Sequence, residues 1–283
     1  MRTKRAWILP ALCACLLCGC GSKGAVREQQ LALRAQGMES ALAGDYEAAV
    51  AAYDEALGLA DMKVGALELD IASYKAAALY RQGNVQEAID TCSAVLDLKK
   101  SAELYLTRGI LYREAGDQES ARADFSAAMD RTSKKDSVMR GRLSYYMEDY
   151  TAAKEYLEQA AEDGDQEGLY WQAELYWDTG NQDYAVTLYQ SYLAGENAGH
   201  QEAYVKVASY QARQGDYDGA LETLEAGIAL GDQGNLQELL SGEIAVYEQR
   251  ADFETAKLKM ESYLESYPDD QEAAREYEFL KTR

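Results

Sequence analysis

The sequence predicts an all-α fold in which pairs of antiparallel helices stack into a solenoid. Between Ala102 and Arg131, large and small side chains recur at steps of three and four residues, the period of a buried helical face. The pair Gly116-Asp117 interrupts this period, because Gly suits the left-handed residue that ends one helix and Asp suits the N-cap of the next. The 283 residues include only 2 prolines, so little in the chain opposes long runs of helix.

The same helix pair occurs seven times along the chain. One alanine of the second helix can be aligned in every copy, at spacings of 39, 33, 32, 32, 35 and 36 residues. These alanines are Ala49, Ala88, Ala121, Ala153, Ala185, Ala220 and Ala256. An Asp or Asn lies four residues before each of them, and in the second copy Asn84 with Glu87 predicts a capping box. Seven coincidences in one register indicate a repeat array, which grows by stacking and needs no internal domain boundary.

The third copy carries a recognisable pattern of residue types. A bulky residue, a small residue and a tyrosine mark its first helix, and alanine, an aromatic residue and alanine mark its second. These six residues are Tyr105, Gly109, Tyr112, Ala121, Phe125 and Ala128. The pattern resembles the tetratricopeptide repeat, whose period is about 34 residues. This resemblance implies a right-handed superhelix of about seven helix pairs over residues 30–268, with a capping helix within residues 269–283. The fourth copy departs from the pattern at Glu148, in place of a turn glycine, and the seventh at Ile244, in place of a small residue.

The N-terminus has the organisation of a secretory signal. Arg2, Lys4 and Arg5 precede an apolar run over residues 6–17. This run is shorter than the roughly 20 residues of an ordinary membrane span. Cleavage by a signal peptidase is therefore the favoured interpretation, and an uncleaved signal anchor stays open as the alternative.

Four cysteines crowd this region: Cys13, Cys15, Cys18 and Cys20. Residues 17–20 read Leu-Cys-Gly-Cys and resemble the bacterial lipobox. The resemblance implies removal of the signal peptide, residues 1–19, and a thioether-linked diacylglycerol on Cys20. Residues 20–29 would then be the lipidated cysteine and a short tether. A metal cluster held by the four cysteines is the other use that such spacing allows.

The charge balance bears on possible partners. The chain has 49 acidic and 28 basic residues, which gives a formal net charge of −21 at pH 7. A phosphate backbone would be repelled by such a chain, so the sequence predicts no nucleic-acid binding. We interpret the acidity as the solvated outer faces of the helices.

No motif of a known catalytic chemistry occurs in a fitting context. The single histidine, His200, has no partner at ligand spacing and is expected to be a surface residue in the loop between two copies. Cys92 falls where Phe125 lies in the third copy, so it is expected to be a small core residue. The sequence therefore predicts neither an enzyme nor a cofactor.

The resemblance to tetratricopeptide proteins also implies a binding surface. In such arrays the first helix of each pair lines a concave groove, and the groove positions can be transferred to this chain one by one. The candidate groove residues are Tyr80, Arg81, Arg113, Arg142, Tyr145, Tyr170, Glu174 and Trp177. Arginine and aromatic residues are enriched in binding hot spots, so a groove of this composition favours a protein or peptide partner. The alternative is that some of these rings only fill gaps between helices.

These observations combine into one functional prediction. The chain is expected to be a lipoprotein outside the cytoplasmic membrane, or on an outer membrane where the host has one. Its solenoid would gather protein partners, for example in assembly of the cell envelope or of a secretion complex. The alternative function is a surface module that captures a small molecule or glycan with the Tyr and Trp side chains of the groove.

Overall fold

The computed structural model describes residues 23–60, 63–196 and 198–283. Regular structure in this part of the chain consists of fifteen helices and no strand. The helices are α1 (Lys23–Leu42), α2 (Tyr46–Gly58), α3 (Ala66–Arg81), α4 (Val85–Leu98), α5 (Ala102–Glu114), α6 (Gln118–Met129), α7 (Ser137–Tyr146), α8 (Tyr150–Glu162), α9 (Gln166–Asp178), α10 (Gln182–Leu193), α11 (Gln201–Arg213), α12 (Tyr217–Ile228), α13 (Leu236–Gln249), α14 (Phe253–Ser266) and α15 (Gln271–Leu280). The predicted all-α class is therefore confirmed.

Helices α1 to α14 form seven consecutive pairs, and each helix packs against the next along the chain. First helices of neighbouring pairs also touch, as α3 does with α5 and α7 with α9. This arrangement is that of an α-solenoid, and α15 packs on α14 at its C-terminal end. Helix α1 begins at Lys23, so residues 23–29 of the expected tether are helical. Most residues of this stretch are good helix formers, which explains the early start.

The turn inside each pair places one residue in the left-handed region. Five of these residues are glycines, Gly44, Gly83, Gly116, Gly180 and Gly215, with φ between +76° and +90°. After α5, Gly116 N–H donates to Arg113 and Asp117 N–H to Tyr112, which is the Schellman arrangement. Glu148 and Ala251 occupy the same turn position with φ of 63° and 62°. The fourth and seventh pairs therefore form the same turn without a glycine, and Glu148 and Ala251 are strained by their positive φ.

Aspartate caps begin most of the second helices. The carboxylates of Asp45, Asp117, Asp149, Asp216 and Asp252 each accept a backbone N–H three residues further on, at 3.0–3.2 Å. The capping box predicted for Asn84 and Glu87 is wrong. The Asn84 side chain accepts no backbone N–H of α4, and its amide nitrogen donates to Gln82 Oε1 at 3.0 Å.

The seven aligned alanines are all in the core, with 0–1% of their surface exposed. In six of the seven pairs a small residue of the first helix lies sixteen positions before a larger residue of the second helix, and in the seventh pair Ile244 takes the place of the small residue. These pairs are Gly37–Tyr53, Ala76–Cys92, Gly109–Phe125, Gly141–Leu157, Ala173–Tyr189, Ala208–Leu224 and Ile244–Met260. A Cβ atom at Gly109 would lie 2.5 Å from Phe125 Cε1, and one at Gly141 equally close to Leu157. The missing side chain in the first helix therefore makes room for the larger one in the second.

Two of the most buried carboxylates in the array are paired with basic side chains. Asp124 is 5% exposed, and its two oxygens accept from Arg108 Nε at 2.7 Å and Nη2 at 2.8 Å. Glu243 is 2% exposed and accepts from Lys259 Nζ at 2.6 Å. Such pairing offsets the large cost of taking a charge out of water. Cys92 is fully buried as expected, and burial raises the pKa of its thiol to about 12.

The predicted departure at Ile244 has a structural consequence. Ile244 is 4% exposed and belongs to a core cluster with Ala256 and Met260. Cavities of about 670 and 550 Å³ border it on either side of α13, and Tyr263 lines both. A β-branched side chain at a position that is small in the other pairs is too large for close nesting, so the seventh pair leaves open space.

We expect Gly109→Ala to destabilise the protein by about 1–3 kcal/mol, because the added methyl would overpack the crossing with Phe125. Phe125→Leu in the same chain recreates the pair Ala208–Leu224 and should recover part of this loss. A double-mutant cycle by urea denaturation measures the coupling, expected to be at least about 1 kcal/mol. Additivity of the two single effects would contradict the proposed nesting.

Ala251→Gly should stabilise the protein by about 1 kcal/mol, because Ala251 pays for a positive φ that glycine adopts freely. The matched control is Ala274→Gly, the same change at an exposed helical position of α15, which should destabilise by about 0.5–1 kcal/mol. Thermal unfolding of both variants checks the sign, and a lower stability for the Ala251 variant would be the contrary result.

Candidate partner-binding groove

The eight predicted groove residues lie on first helices, but the structure does not gather them into one site. Tyr80 and Arg81 are in the last turn of α3, and Arg113 is near the end of α5. Arg142 and Tyr145 belong to α7. Tyr170, Glu174 and Trp177 follow one another on α9. Their environments divide them into a central group and several residues with structural contacts of their own.

The central group forms around two aromatic rings, Tyr146 and Trp171. Arg113 lies over the Tyr146 ring at 4.7 Å and Arg142 over the Trp171 ring at 4.7 Å, measured from Cζ to the ring centroid. The Tyr145 ring packs against both rings, 5.3 Å from Tyr146 and 5.8 Å from Trp171, and these two rings are 5.7 Å from each other. We call Arg113, Arg142 and Tyr145 with these two rings the central cluster. Cation–π contacts at these distances hold both arginines beside one aromatic surface.

Arg142 has an unsatisfied donor within this cluster. Its Nε atom is buried and has no hydrogen-bond partner, although the residue as a whole is half-buried. Buried polar atoms are nearly always paired, so each exception needs an explanation. Stacking on Trp171 fixes the guanidinium plane without using its N–H groups.

Tyr145 is fixed from both ends. Its hydroxyl donates to the Asp178 carboxylate, and the ring is held by the aromatic contacts of the cluster. Burial, together with this hydrogen bond, raises the pKa of Tyr145. Arg113, Tyr145 and Asp178 also line a common cavity of about 120 Å³. The residue is therefore a neutral, rigid part of the groove wall at all ordinary pH values.

Tyr170 is placed differently from the prediction. It is 6% exposed and stacks on the His200 ring, with centroids 3.8 Å apart and planes at 9°. Its other face and edges meet Trp171 and Tyr192. Tyr170 thus fills the space between helices and offers little surface to a partner, which was the alternative interpretation of such rings.

His200 is not the isolated surface residue that the sequence suggested. It is half-buried, and its Nε2 atom lies 3.0 and 3.1 Å from the two carboxylate oxygens of Glu167. Its backbone N–H donates to the Tyr192 hydroxyl at 3.1 Å. The hydrogen bond with His200 is the main cause that lowers the pKa of Glu167. No spacing in the sequence indicates this contact, because the two residues are 33 positions apart on different helix pairs.

Glu174 and Trp177 also have contacts within the array. Glu174 is buried and accepts from Lys206 Nζ at 2.7 Å and from the Tyr189 hydroxyl at 2.6 Å. It therefore links α9, α10 and α11 and is not free for a partner. Trp177 is half-buried and lines a separate cavity of about 310 Å³ with Arg213 and residues of α11 and α13.

The two N-terminal candidates have distinct positions. Tyr80 is 39% exposed. Arg81 Nη1 donates to the carbonyl of Gly234 at 2.9 Å, across 153 residues of sequence. Nearby, Gln233 N–H donates to the Leu42 carbonyl at 3.1 Å. The loop before α13 therefore meets the start of the array, a contact that follows from superhelical curvature and not from any local pattern.

The predicted lipidation site, Cys20, lies outside the described residues. Within the described ranges no helix is both long and apolar enough to be a membrane span. The same residues contain no group of three or more His, Cys, Asp or Glu side chains arranged as ligands of one metal ion.

Comparison with known proteins bears on the family. Residues 34–103 and 138–200 match the tetratricopeptide repeat family model. Among curated proteins, no match to the chain was found. These two ranges make up somewhat less than half of the chain, and within them the sequence is similar to tetratricopeptide repeats. The chain is thus a repeat scaffold suited to protein–protein interaction.

Solved structures are similar to the chain at low sequence identity. Yeast Tom70 is 16% identical with a TM-score of 0.66, and the alignment covers 92% of this chain but only 55% of that one. A tetratricopeptide repeat protein from Parabacteroides merdae is 18% identical with a TM-score of 0.50, covering 90% of this chain and 100% of that one. Pseudomonas aeruginosa pilF is 15% identical with a TM-score of 0.50, covering 76% and 96%. At these identities the likeness shows the fold alone.

Glu167→Gln should reduce the dependence of stability on acid pH. Because the folded-state pKa of Glu167 is lowered from 4.5, its contribution is present above that value and is lost as pH falls through the folded pKa. We therefore expect the variant to be less stable near neutrality and to lose less between about pH 5 and pH 3. Urea denaturation across this range is the measurement, with the exposed Glu155→Gln on α8 as control. If the free energy of unfolding falls equally with pH in the variant and the wild type, the contact between Glu167 and His200 is contradicted.

Proposed function

We propose that this protein is a lipid-anchored, extracytoplasmic scaffold whose tetratricopeptide array binds protein partners through its concave groove. The observation that carries the proposal is the central cluster. Two arginines, Arg113 and Arg142, flank one aromatic surface on a chain whose formal net charge is −21. Arginine beside aromatic rings is the composition of interface hot spots.

The membrane part of the proposal rests on the N-terminal sequence. Loss of residues 1–19 removes Arg2, Lys4 and Arg5 and takes the formal net charge from −21 to −24. Two acyl chains anchor a protein stably where one would be marginal. Because α1 begins at Lys23, only residues 21 and 22 separate Cys20 from the first helix. An acidic array on so short a connection would stand on an anionic membrane without lying flat along it.

The role proposed for such a scaffold is assembly of the cell envelope or of a secretion complex. Capture of a small molecule or glycan is less well supported by the geometry. Of the groove rings on which that alternative depends, Tyr170 is 6% exposed and packed on His200. Tyr145 and Trp177 are half-buried and line separate cavities, so the three rings do not form one aromatic site. The guanidinium groups of Arg113 and Arg142, beside the Tyr146 and Trp171 rings, suit a larger partner that supplies hydrogen-bond acceptors.

The anchor is tested by metabolic labelling with an alkyne fatty acid in a bacterial host that processes lipoproteins. Cys20→Ser should abolish both labelling and recovery in the membrane fraction, because the thioether cannot form. Cys18→Ser is the matched control, since it keeps the cysteine that would be acylated. Undiminished labelling of the Cys20 variant would overturn the lipobox assignment.

The groove is tested by crosslinking in the native cell followed by mass spectrometry. Arg113→Gln with Arg142→Gln should reduce crosslinked partners at least about tenfold, the loss expected when hot-spot residues are removed. Lys99→Gln with Lys100→Gln removes the same charge at two exposed positions between α4 and α5, and should leave partner recovery unchanged. An equal effect of both double variants would show general charge attraction and would exclude the central cluster as the site.

A further inference from the structure

A second concave site lies at the C-terminal end of the array. It is a groove of about 670 Å³ between α13, α14 and α15, which we call the C-terminal groove. Its apolar lining comes from Ile244, Ala245, Met260 and Ala273. The volume is in the range of sites that hold a short segment of chain or a molecule of similar size. Ile244, which is larger than its counterparts in the other helix pairs, lies in this lining.

The polar lining of the C-terminal groove has one sign of charge. Five carboxylates line it, Glu238, Glu248, Asp270, Glu272 and Glu276, and no Lys, Arg or His is among its lining residues. Asp270 has a structural task, because it accepts from the Tyr263 hydroxyl at 2.7 Å and caps α15. The remaining four glutamates are distributed along the groove, since no three of the described carboxylates are grouped as ligands of one metal ion. A single small cation therefore fits them less well than several cationic groups on one chain.

Glu248 differs from the other buried carboxylates because one of its oxygens has no partner. Its Oε1 atom is buried and has no hydrogen-bond donor, whereas the buried carboxylates of Asp124, Glu174 and Glu243 are all paired with a basic side chain. Burial and the neighbouring Glu276 raise the pKa of Glu248. Glu248 is half-buried and lines the groove, so a cationic group on a bound segment would offset its negative charge there.

We propose that the C-terminal groove binds a segment of a partner protein in which Lys or Arg lies beside an apolar side chain. The inference rests on the proposed scaffold function and adds the chemistry of the partner. The cationic groups would pair with Glu248 and Glu276, and the apolar side chain would cover Ile244 and Met260. Charge complementarity commits the site to a basic segment, since an acidic one, including another copy of this chain, would be repelled.

The test is fluorescence anisotropy with a short fluorescein-labelled peptide in which lysine and leucine alternate. Glu248→Gln with Glu276→Gln should raise its Kd at least about tenfold, because both proposed ion pairs are lost. Glu222→Gln with Glu265→Gln makes the same change in net charge at exposed positions outside the groove and should change Kd less than about twofold. Equal weakening by both double variants would overturn the proposal.

Two further peptides define the chemistry. Alternating glutamate and leucine should not bind, and alternating lysine and glycine should bind at least about tenfold more weakly than the lysine–leucine peptide. Equal binding of either one would overturn the assigned mode. As a folding check, Glu248→Gln should leave Tm unchanged or raise it, because the substitution removes repulsion with Glu276. A lowered Tm would contradict the unpaired carboxylate.

Binding of the lysine–leucine peptide to the C-terminal groove is expected to be independent of the central cluster. The variant Arg113→Gln with Arg142→Gln should bind the lysine–leucine peptide as the wild type does. If the arginine double variant does not reduce cellular crosslinking while the lysine–leucine peptide still binds, the central cluster is excluded as a partner site. The proposal for the C-terminal groove is then still supported. If crosslinking succeeds and the peptide does not bind, only the present inference is overturned.

Discussion

Close approach of the two helices in each pair is the constraint on which the rest of this structure depends. A small residue of the first helix faces a larger one sixteen positions later, as Gly109 faces Phe125 and Gly141 faces Leu157. This complementarity sets how near the helices lie and therefore the angle at which successive pairs stack. The angle in turn decides which side chains of α5, α7 and α9 meet, so the central cluster is a product of core packing.

The seventh pair shows what happens when the constraint is relaxed. Ile244 replaces the small residue, α13 and α14 leave cavities on both sides, and one of these cavities is lined by carboxylates. In the rest of the array buried charges such as Asp124 find a basic partner within the fold. Beside the loosened pair, Glu248 does not. The central cluster and the C-terminal groove thus differ in charge, because arginines flank the first and glutamates line the second.

The periodic features of this fold could be predicted from the sequence, because they repeat. The seven alanines, the left-handed turn residues and most of the aspartate caps occupy the same position in every copy, so each copy supports the others. The departure at Ile244 was visible for the same reason. Contacts between different copies could not be predicted from the recurring positions. His200 with Glu167 and Arg81 with Gly234 join residues 33 and 153 positions apart, and superhelical curvature brings them together.

Exchange of a whole small–large pair between two copies tests the packing constraint most directly. Ala76→Gly with Cys92→Phe would place the pair of the third copy, Gly109–Phe125, into the second copy. We expect the double variant to fold with a Tm within a few degrees of the wild type, since about 1 kcal/mol corresponds to roughly 2–4 °C at this size. Cys92→Phe alone should overpack against Ala76 and lower Tm by several degrees more. If Cys92→Phe alone is tolerated as well as the double variant, paired small and large residues do not control the helix crossings, and the account is wrong.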